Sequence, residues 1–497
     1  MRLRLFGLLA MVAVFPASAA ADPVVVLGAH GHAIVRNDRF LTRPAMTPAP
    51  DRVGARPRGT GVAADVRRSR RKLVKTVPRE LARLYHAGKI TSGAYRSDSG
   101  TWNAARRSLR RLHGTRHTEL AAVIQNLSNF AAAGKLIPSR LTVLFLTLSR
   151  NCQWWTTGPL LSYGQRVEFK GSQLAWEYYP GQGIELTALG NFGKVDGLYS
   201  AGKADWAQAQ SMLAEMLPLA AQRGGGLTWE YYFKFDGGKP PWTSAMSQGT
   251  ALEALTRADQ ALQKPGSGLD QVDYLGIGQK ALSIFTRRPS TGVAVPTSLG
   301  TRYLQYSFAA SPKDDVINGF LQSLIGLYDY AQVSGSATAQ RLFAAGNAEA
   351  MSEVPHFDTG AWSLYQPGEE DSLDYHELVT GFLQQLCQRT GATVYCDTAD
   401  HFETYLKTPP ALTLLTAHVK VHKATSISFR LSKISHVGIV VLDGSTTVFS
   451  TSASFPYGVH SFSIPALRHR GQYTIHLAAT DLAGNFGRIV GTVQATK

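Results

Sequence analysis

Near residue 408 the hydrophobic rhythm of this chain changes period, and no single packed layer can serve both periods. Upstream, "WAQAQSMLAEMLPLAAQRGGG", "SAMSQGTALEALTRADQALQ", "DDVINGFLQSLIGLYDYAQVSG", "ATAQRLFAAGNAEAMSEV" and "SLDYHELVTGFLQQL" each carry an apolar stripe at helical spacing. Downstream, "TSISFRLS", "VGIVVLDGSTTVFST", "HSFSIPAL" and "QYTIHLAATDLAGN" alternate apolar and polar residues between turn signals, with Asp443-Gly444 as a hairpin turn. The chain therefore reads as multidomain α+β. Successive helical hairpins over 151–407 suggest an (α/α) toroid or barrel, opened by strands and a turn in "VEFKGSQLAWEYYPGQG", and residues 408–497 suggest a small β-sandwich.

Ahead of the helical region the composition shifts twice. Arg2 and Arg4, the apolar run Leu5–Val14 and small residues near Ala19 to Ala21 read as an export signal over 1–21, which places the protein in the secreted or extracytoplasmic space. No later run is long enough to span a bilayer. Residues 22–64 read as a linker, Pro-, Gly- and Ala-rich from 43 onward. Residues 65–150 read as a basic helical segment, in which Arg67 to His117 hold fifteen arginines and lysines against two acids. That density attracts a polyanion or, more simply, solvates a helical face. Nucleic acid is a poor partner for an exported chain without a nucleic-acid motif, whereas an acidic polysaccharide suits charge and compartment. Of three cysteines, Cys387 and Cys396 could close a small loop and leave Cys152 unpaired. With histidines scattered and no cysteine pair at ligand spacing, no metal is expected, nor any other cofactor.

The stretch "SLDYHELVTGFLQQL", Ser372 to Leu386, places a phenol beside a carboxylate and an imidazole. Asp374 reads as the N-cap, with Glu377 completing a capping box, so Tyr375 falls in the first turn, where the positive end of the helix dipole favours an anion. Taken alone, it reads first as an ordinary capped helix with a rim tyrosine.

Four stretches together resemble the C-terminal catalytic domain of D-glucuronyl C5-epimerases: "PPWTSAMSQG" (Pro240–Gly249), "INGFLQSLIGLYD" (Ile317–Asp329), "FDTGAWSLY" (Phe357–Tyr365) and "DYH" (Asp374–His376). The resemblance implies an (α/α) toroid whose cleft is lined by tyrosines, with Tyr375 as acid/base, Tyr365 as a second family tyrosine and Tyr306 as the third. It implies inversion of C5 in uronate units of a polysaccharide, and a homodimer is a possibility. Removal of the C5 hydrogen, alpha to a carboxylate, builds negative charge, and a proton must return from the opposite face. The same intermediate can expel the C4 oxygen, which would make a lyase; a silent carbohydrate-binding cleft is the remaining alternative. Separately, "YTIHLAATDLAGN" looks like the closing strands of bacterial immunoglobulin-like modules, which makes the last domain an immunoglobulin-like spacer or adhesion module.

The chain departs from the family pattern at Gln305, where a carboxylate precedes the third tyrosine, and at Gly368, where an arginine is expected. Arg302, His376 or Lys313 could neutralise the substrate carboxylate instead, or be ordinary solvated charges. Trp242 reads as a sugar-stacking platform or a packing staple, and Gln248 and Asn318 as hydroxyl-binding groups or backbone partners. "WEYY" occurs at Trp176–Tyr179 and Trp229–Tyr232, and Tyr178 is the member expected nearest the cleft.

Overall fold

The computed structural model describes residues 22–28, 32–41, 75–309, 311 and 314–497, so the export signal, residues 43–64 and residues 65–74 of the basic segment lie outside it. The chain divides into two compact units. The first comprises the described residues up to Ala294 with Tyr306–Phe308 and Asp329–Gln340, and the second comprises the rest.

In the first unit, four helices follow one another: α1 (Val77–His86), α2 (Ser92–Leu109), α3 (Gly114–Ala132) and α4 (Pro138–Thr157). They occupy the basic segment, and their cations lie mostly on exposed faces while Leu81, Trp102, Leu120, Leu127 and Leu148 are buried. A five-stranded sheet follows in the order β2-β1-β3-β4-β5, from β1 (Asp22–Leu27), β2 (Ala33–Asp38), β3 (Arg166–Phe169), β4 (Ala175–Tyr179) and β5 (Gly183–Leu186). Asp22–Leu27 and Ala33–Asp38 are thus corrected from linker to sheet. The apolar run of β1 lies parallel to β3, pairing Val24 to Leu27 with Arg166 to Phe169. A short uninterrupted apolar strand lacks the period-2 signal, and the Pro-rich stretch beyond it masks it. Lys194, itself buried, pairs with Asp38 at 2.8 Å and fastens the end of β2.

The helices α5 (Ala188–Ala201), α6 (Trp206–Met216), α7 (Ala245–Leu262) and α8 (Tyr274–Ala281) complete this unit, with the hairpin of β6 (Ala221–Arg223) and β7 (Gly226–Thr228). α7 is buried along nearly its whole length, and its polar side chains are bonded within the unit, Gln248 to Leu227 O and Arg257 to Asp196 and Glu253; Ser244 caps it by accepting from the Ser247 N–H.

The later elements are β8 (Ala294–Pro296), β9 (Thr301–Tyr303), α9 (Ile317–Ser334), α10 (Ala337–Glu353), the hairpin β10 (Leu364–Gln366) and β11 (Glu369–Glu370), α11 (Leu373–Thr390) and α12 (Thr393–Tyr405). A disulfide joins Cys387 to Cys396, from α11 to α12, and Cys152 is free. Beyond these come β12 (Leu412–Leu414), β13 (His418–Lys420), β14 (Thr425–Leu431), β15 (Ser435–Asp443), β16 (Thr446–Phe455), β17 (Gly458–Ile464), β18 (Gly471–Asp481) and β19 (Phe486–Thr496). They form one sheet ordered β12-β14-β17 and another ordered β13-β19-β18-β15-β16. Ile427, Phe429 and Phe462 of the first share one core with Ile439, Val441, Ile475, Leu477 and Val493 of the second. Gly444, at φ +59°, makes the β15–β16 turn that the sequence signals.

This C-terminal module is fastened to its own unit by buried charge. Lys433 donates to Tyr405 O (2.7 Å) and Thr408 O (2.5 Å) and pairs with Asp481 at 2.6 Å, both side chains being about 1% exposed. Glu370 of β11 accepts from the Ile434 N–H (2.8 Å) and the Tyr457 N–H (2.6 Å). The module and the β10–β11 hairpin are therefore one packed body rather than beads on a string.

Among the described residues, no helix is long and apolar enough to cross a membrane.

Candidate active site

In the second unit, β10 and the first turn of α11 bring Tyr365 and Tyr375 together, with ring centroids 5.0 Å apart. The N-cap position is Ser372, not Asp374; its side chain makes no cap bond, and Asp374 sits inside the first turn as its acid. The capping box is corrected accordingly, because the Asp371 N–H donates to Ser363 O and brings the chain into the helix earlier than Asp374 would. Tyr375 keeps its first-turn place. Gly368 stands at φ +83° in the β10–β11 turn, a conformation that an arginine would adopt only with strain.

Beneath the tyrosine pair runs a buried polar chain. Ser363 Oγ lies 2.5 Å from Asp371 Oδ2 and 2.7 Å from His376 Nδ1, and His376 Nε2 donates to Phe402 O at 2.9 Å. Since Nε2 carries the proton, a neutral imidazole has an accepting Nδ1. Burial pushes the Asp371 carboxyl up to about 7 and the His376 imidazole down to about 4. Both are therefore neutral at mildly acid pH, and the protons run in one direction, from Asp371 to Ser363 to His376 to the Phe402 carbonyl. Trp362 stacks on His376 at 3.8 Å and donates its Nε1–H to Asp371 O. His376 is thus a fully buried, neutral support of the site with both nitrogens engaged by the protein.

Arg302 is similarly committed. It lies buried on β9, paired with Glu353 and with Asp315 (3.4 Å), its guanidinium over the Phe320 ring. Burial lowers it to about 10, against the pull of Asp315 and Glu349. Lys313 lies outside the described residues. Asn318, in the first turn of α9, and Gln305 are both about 1% exposed, and both amide ends of each have no hydrogen-bond partner among the described residues. A Cβ at position 319 would collide with Gln305 Oε1, so Gly319 is what lets that carboxamide lie against the helix.

The first unit holds Tyr306 and Trp242, and these meet as well. Trp242 stacks on Tyr231 at 4.2 Å and meets Tyr306 edge-on at 5.7 Å, while Phe308 stacks on Tyr306 at 5.3 Å and Phe235 lies 5.6 Å away. Two backbone-centred bonds fix this segment to the approach to α7: the Ser307 N–H donates to Thr243 O (2.9 Å), and the Thr243 N–H donates to Ser307 Oγ (3.1 Å). Gln248 ties β7 to α8 by donating to Leu227 O (2.9 Å) and Ala281 O (3.1 Å). Tyr178 points at Glu119, to which its hydroxyl donates at 3.0 Å, and Glu119 also accepts from the Gly181 and Gly183 N–H groups. It therefore braces the β4–β5 turn.

Sequence reasoning missed the polar row beside Tyr179. Strand register sets Arg166 of β3 opposite Glu177 of β4, and Glu177 opposite Glu185 of β5, with Arg166 and Glu177 4.0 Å apart. The signal was present in "WEYY" and "IEL", each a carboxylate flanked by large apolar residues.

Three comparisons bear on this arrangement. Residues 223–404 match the family model described as the D-glucuronyl C5-epimerase C-terminus. A D-glucuronyl C5-epimerase of Caenorhabditis elegans is 30% identical over 186 residues, which are 33% of this chain and 29% of that protein. An uncharacterized protein of Methanocaldococcus jannaschii is 24% identical over 175 residues, 34% of this chain and 54% of that one. The chain thus spans from under a third to about half of the curated relatives it matches. Among solved structures, a GH76 alpha-mannanase of Bacteroides thetaiotaomicron aligns with 48% of this chain and 65% of its own at 11% identity and a TM-score of 0.32, too slight a likeness to bear on the fold.

Proposed function

From a segment, residues 223–404, that matches the family model described as the D-glucuronyl C5-epimerase C-terminus, we propose that the protein is an isomerase that inverts C5 of uronate residues in an acidic polysaccharide. The observation that carries this reading is the pairing of Tyr365 with Tyr375, 5.0 Å apart, inside that segment, with Tyr375 in the first turn of α11. A hydroxyl held there is near the positive end of the helix dipole, which lowers the cost of a passing phenolate. Tyr375 and Tyr365 act as proton-transfer groups, and a part for Tyr306 rests on the family resemblance alone. Trp242 is too deeply buried, at 1% exposed, to be an open stacking platform, and it supports Tyr306 from behind.

The cations of α1 to α3 draw the polyanion toward the protein by long-range attraction screened over roughly 10 Å at 0.1 M salt. Asn318 and Gln305 are as deeply buried as Trp242 and so stand behind any surface that a sugar would meet. Extracytoplasmic location, a homodimer, the toroidal arrangement of helices and the immunoglobulin-like character of the last module belong to the same proposal.

The test is to incubate the protein with a panel of unsulfated polyuronates in heavy water. Deuterium at C5 without chain cleavage is the expected result. Unsaturated ends would assign a lyase instead, and binding with neither outcome would mark a silent cleft.

A further inference from the structure

The first unit carries a row of cations that its own acids leave unanswered. On α2 and the turn after it, Arg96, Arg107, Arg110 and Arg111 are exposed, and their guanidinium groups make no hydrogen bond or ion pair among the described residues. At about 100° per residue, the four positions fall within roughly 100° of one another around the helix, on the side opposite the buried Trp102 and Ala105. At about 1.5 Å of rise per residue the row is roughly 20 Å long. Arg106 stands beside it with its guanidinium over the Trp102 ring, 5.8 Å from the centroid.

Folding alone does not account for this row. Between Arg96 and Arg116 the chain has six arginines, no lysine and one acid, Asp98, whose carboxyl burial pushes up to about 6. The nearest other acids are taken: Glu80 pairs with Arg83 at 3.0 Å, and Glu119 accepts from Tyr178 and from the Gly181 and Gly183 N–H groups. The helix dipole favours cations in the last turn of α2. It does not favour their crowding, because Arg106 and Arg107 repel Arg110 and Arg111 at spacings of three and four residues, where an acid at any one position would have paired. An anion laid along the row relieves that repulsion.

The side chains select among anions. Guanidinium is planar, weakly hydrated and matched to a carboxylate in two parallel hydrogen bonds, which the point charge of a lysine cannot reproduce. A helix that lies on a membrane also needs apolar side chains to insert, and a surface for single-stranded nucleic acid needs rings on which bases stack. Among the described residues between Tyr85 and Leu160, no large apolar side chain is exposed.

We propose that the α2 row, Arg96, Arg107, Arg110 and Arg111, is a binding site in its own right that holds the carboxylates of a polyuronate chain by direct, two-pronged contacts. The identity of the polymer rests on the function proposed above, and the site goes beyond it. Long-range attraction needs only charge, whereas a contact site needs the guanidinium fork. A chain held on α2 is kept at raised local concentration for the rest of the molecule, so long polymers gain where short oligosaccharides do not.

Binding of the full chain to immobilised, unsulfated polyglucuronate tests this, with association and dissociation rates followed separately across a range of salt. Three triple variants are compared with the parent. Arg107→Gln with Arg110→Gln and Arg111→Gln should raise Kd about tenfold at 0.1 M salt, the scale of three exposed ion pairs lost together, and should flatten its salt dependence. Lys420→Gln with Lys423→Gln and Arg430→Gln removes the same net charge from exposed positions of the C-terminal module and should change Kd by less than about twofold. Arg107→Lys with Arg110→Lys and Arg111→Lys keeps every charge, and should still raise Kd about threefold through faster dissociation, with association unchanged. A lysine variant that superimposes on the parent, or a control variant that loses as much as the α2 glutamine variant, would leave only a diffuse field and overturn the proposal. So would tighter binding of the row to vesicles of phosphatidylcholine and phosphatidylglycerol than to the polyuronate. All nine positions are exposed, and an unchanged melting transition confirms the fold of each variant. No arm uses turnover. Absent C5 exchange with these binding differences intact would defeat the epimerase reading alone, and C5 exchange with unchanged binding in the variants would defeat this one alone.

Discussion

The two tyrosine clusters are supported by opposite means. Tyr365 and Tyr375 rest on a directional chain of buried polar groups, Asp371 to Ser363 to His376 to the Phe402 carbonyl, braced by Trp362 and by Lys433 of the C-terminal module. Tyr306 rests on stacked rings, Trp242, Phe235 and Phe308. Aromatic packing is non-directional and tolerates small changes of shape. A buried polar chain has no such tolerance, since removing one member strands its neighbours without water. The first arrangement should therefore respond sharply to single atoms and to pH, and the second to neither.

The largest effect should come from the brace. Lys433→Met leaves Asp481 as an unpaired buried carboxylate and two carbonyls unmet, and should cost about 3–5 kcal/mol in denaturant unfolding. Adding Asp481→Leu should recover much of that loss, and a single variant as stable as the parent would show that the module is not held as described. Next in size, Ser363→Ala breaks the chain between Asp371 and His376 and should cost about 1–3 kcal/mol. The pH dependence is a finer probe. Asp371, held at about 7 when folded, contributes stability that is full below its unfolded value and lost as pH rises toward 7. His376, held at about 4, works the other way, because protonation of the unfolded imidazole erodes stability as pH falls from 6.5 toward 4. In the parent these slopes oppose each other. Asp371→Asn should expose a stability that climbs between pH 4 and 6.5, and His376→Gln one that declines between pH 4 and 7; parallel profiles in all three proteins would break the proton order assigned above. Smallest of all, Phe235→Leu should cost less than about 1.5 kcal/mol and leave the pH profile unchanged.

Much of this was legible in the sequence, for reasons that can be located. The α7 and α11 stripes, the Asp443-Gly444 turn, the alternation of the last strands and the Cys387–Cys396 loop are local signals, and each appears where its spacing puts it. The first-turn place of Tyr375 survived although the cap moved from Asp374 to Ser372, because helix ends are set by tertiary contacts, here those of Asp371 and Ser363. What stayed hidden was long-range. Nothing near Val24 announces a parallel partner more than a hundred residues later, and nothing near Tyr306 announces the rings of Phe235 and Trp242 that pack on it. His376 and Arg302 looked like free cations because sequence cannot count buried partners; one is a neutral link in a chain, and the other is paired with Asp315 and Glu353.

The central claim is that Tyr375 transfers the C5 proton of a uronate, and deuterium incorporation in Tyr375→Phe tests it most directly. The substitution keeps the ring, its contact with Tyr365 and the α11 terminus while deleting the one atom that can carry the proton. With an unchanged melting transition and an unchanged affinity for the polyuronate, exchange at C5 should fall by about 10² or more. Exchange at the parent rate would contradict the account and leave Tyr375 as a tyrosine on the rim of a helix.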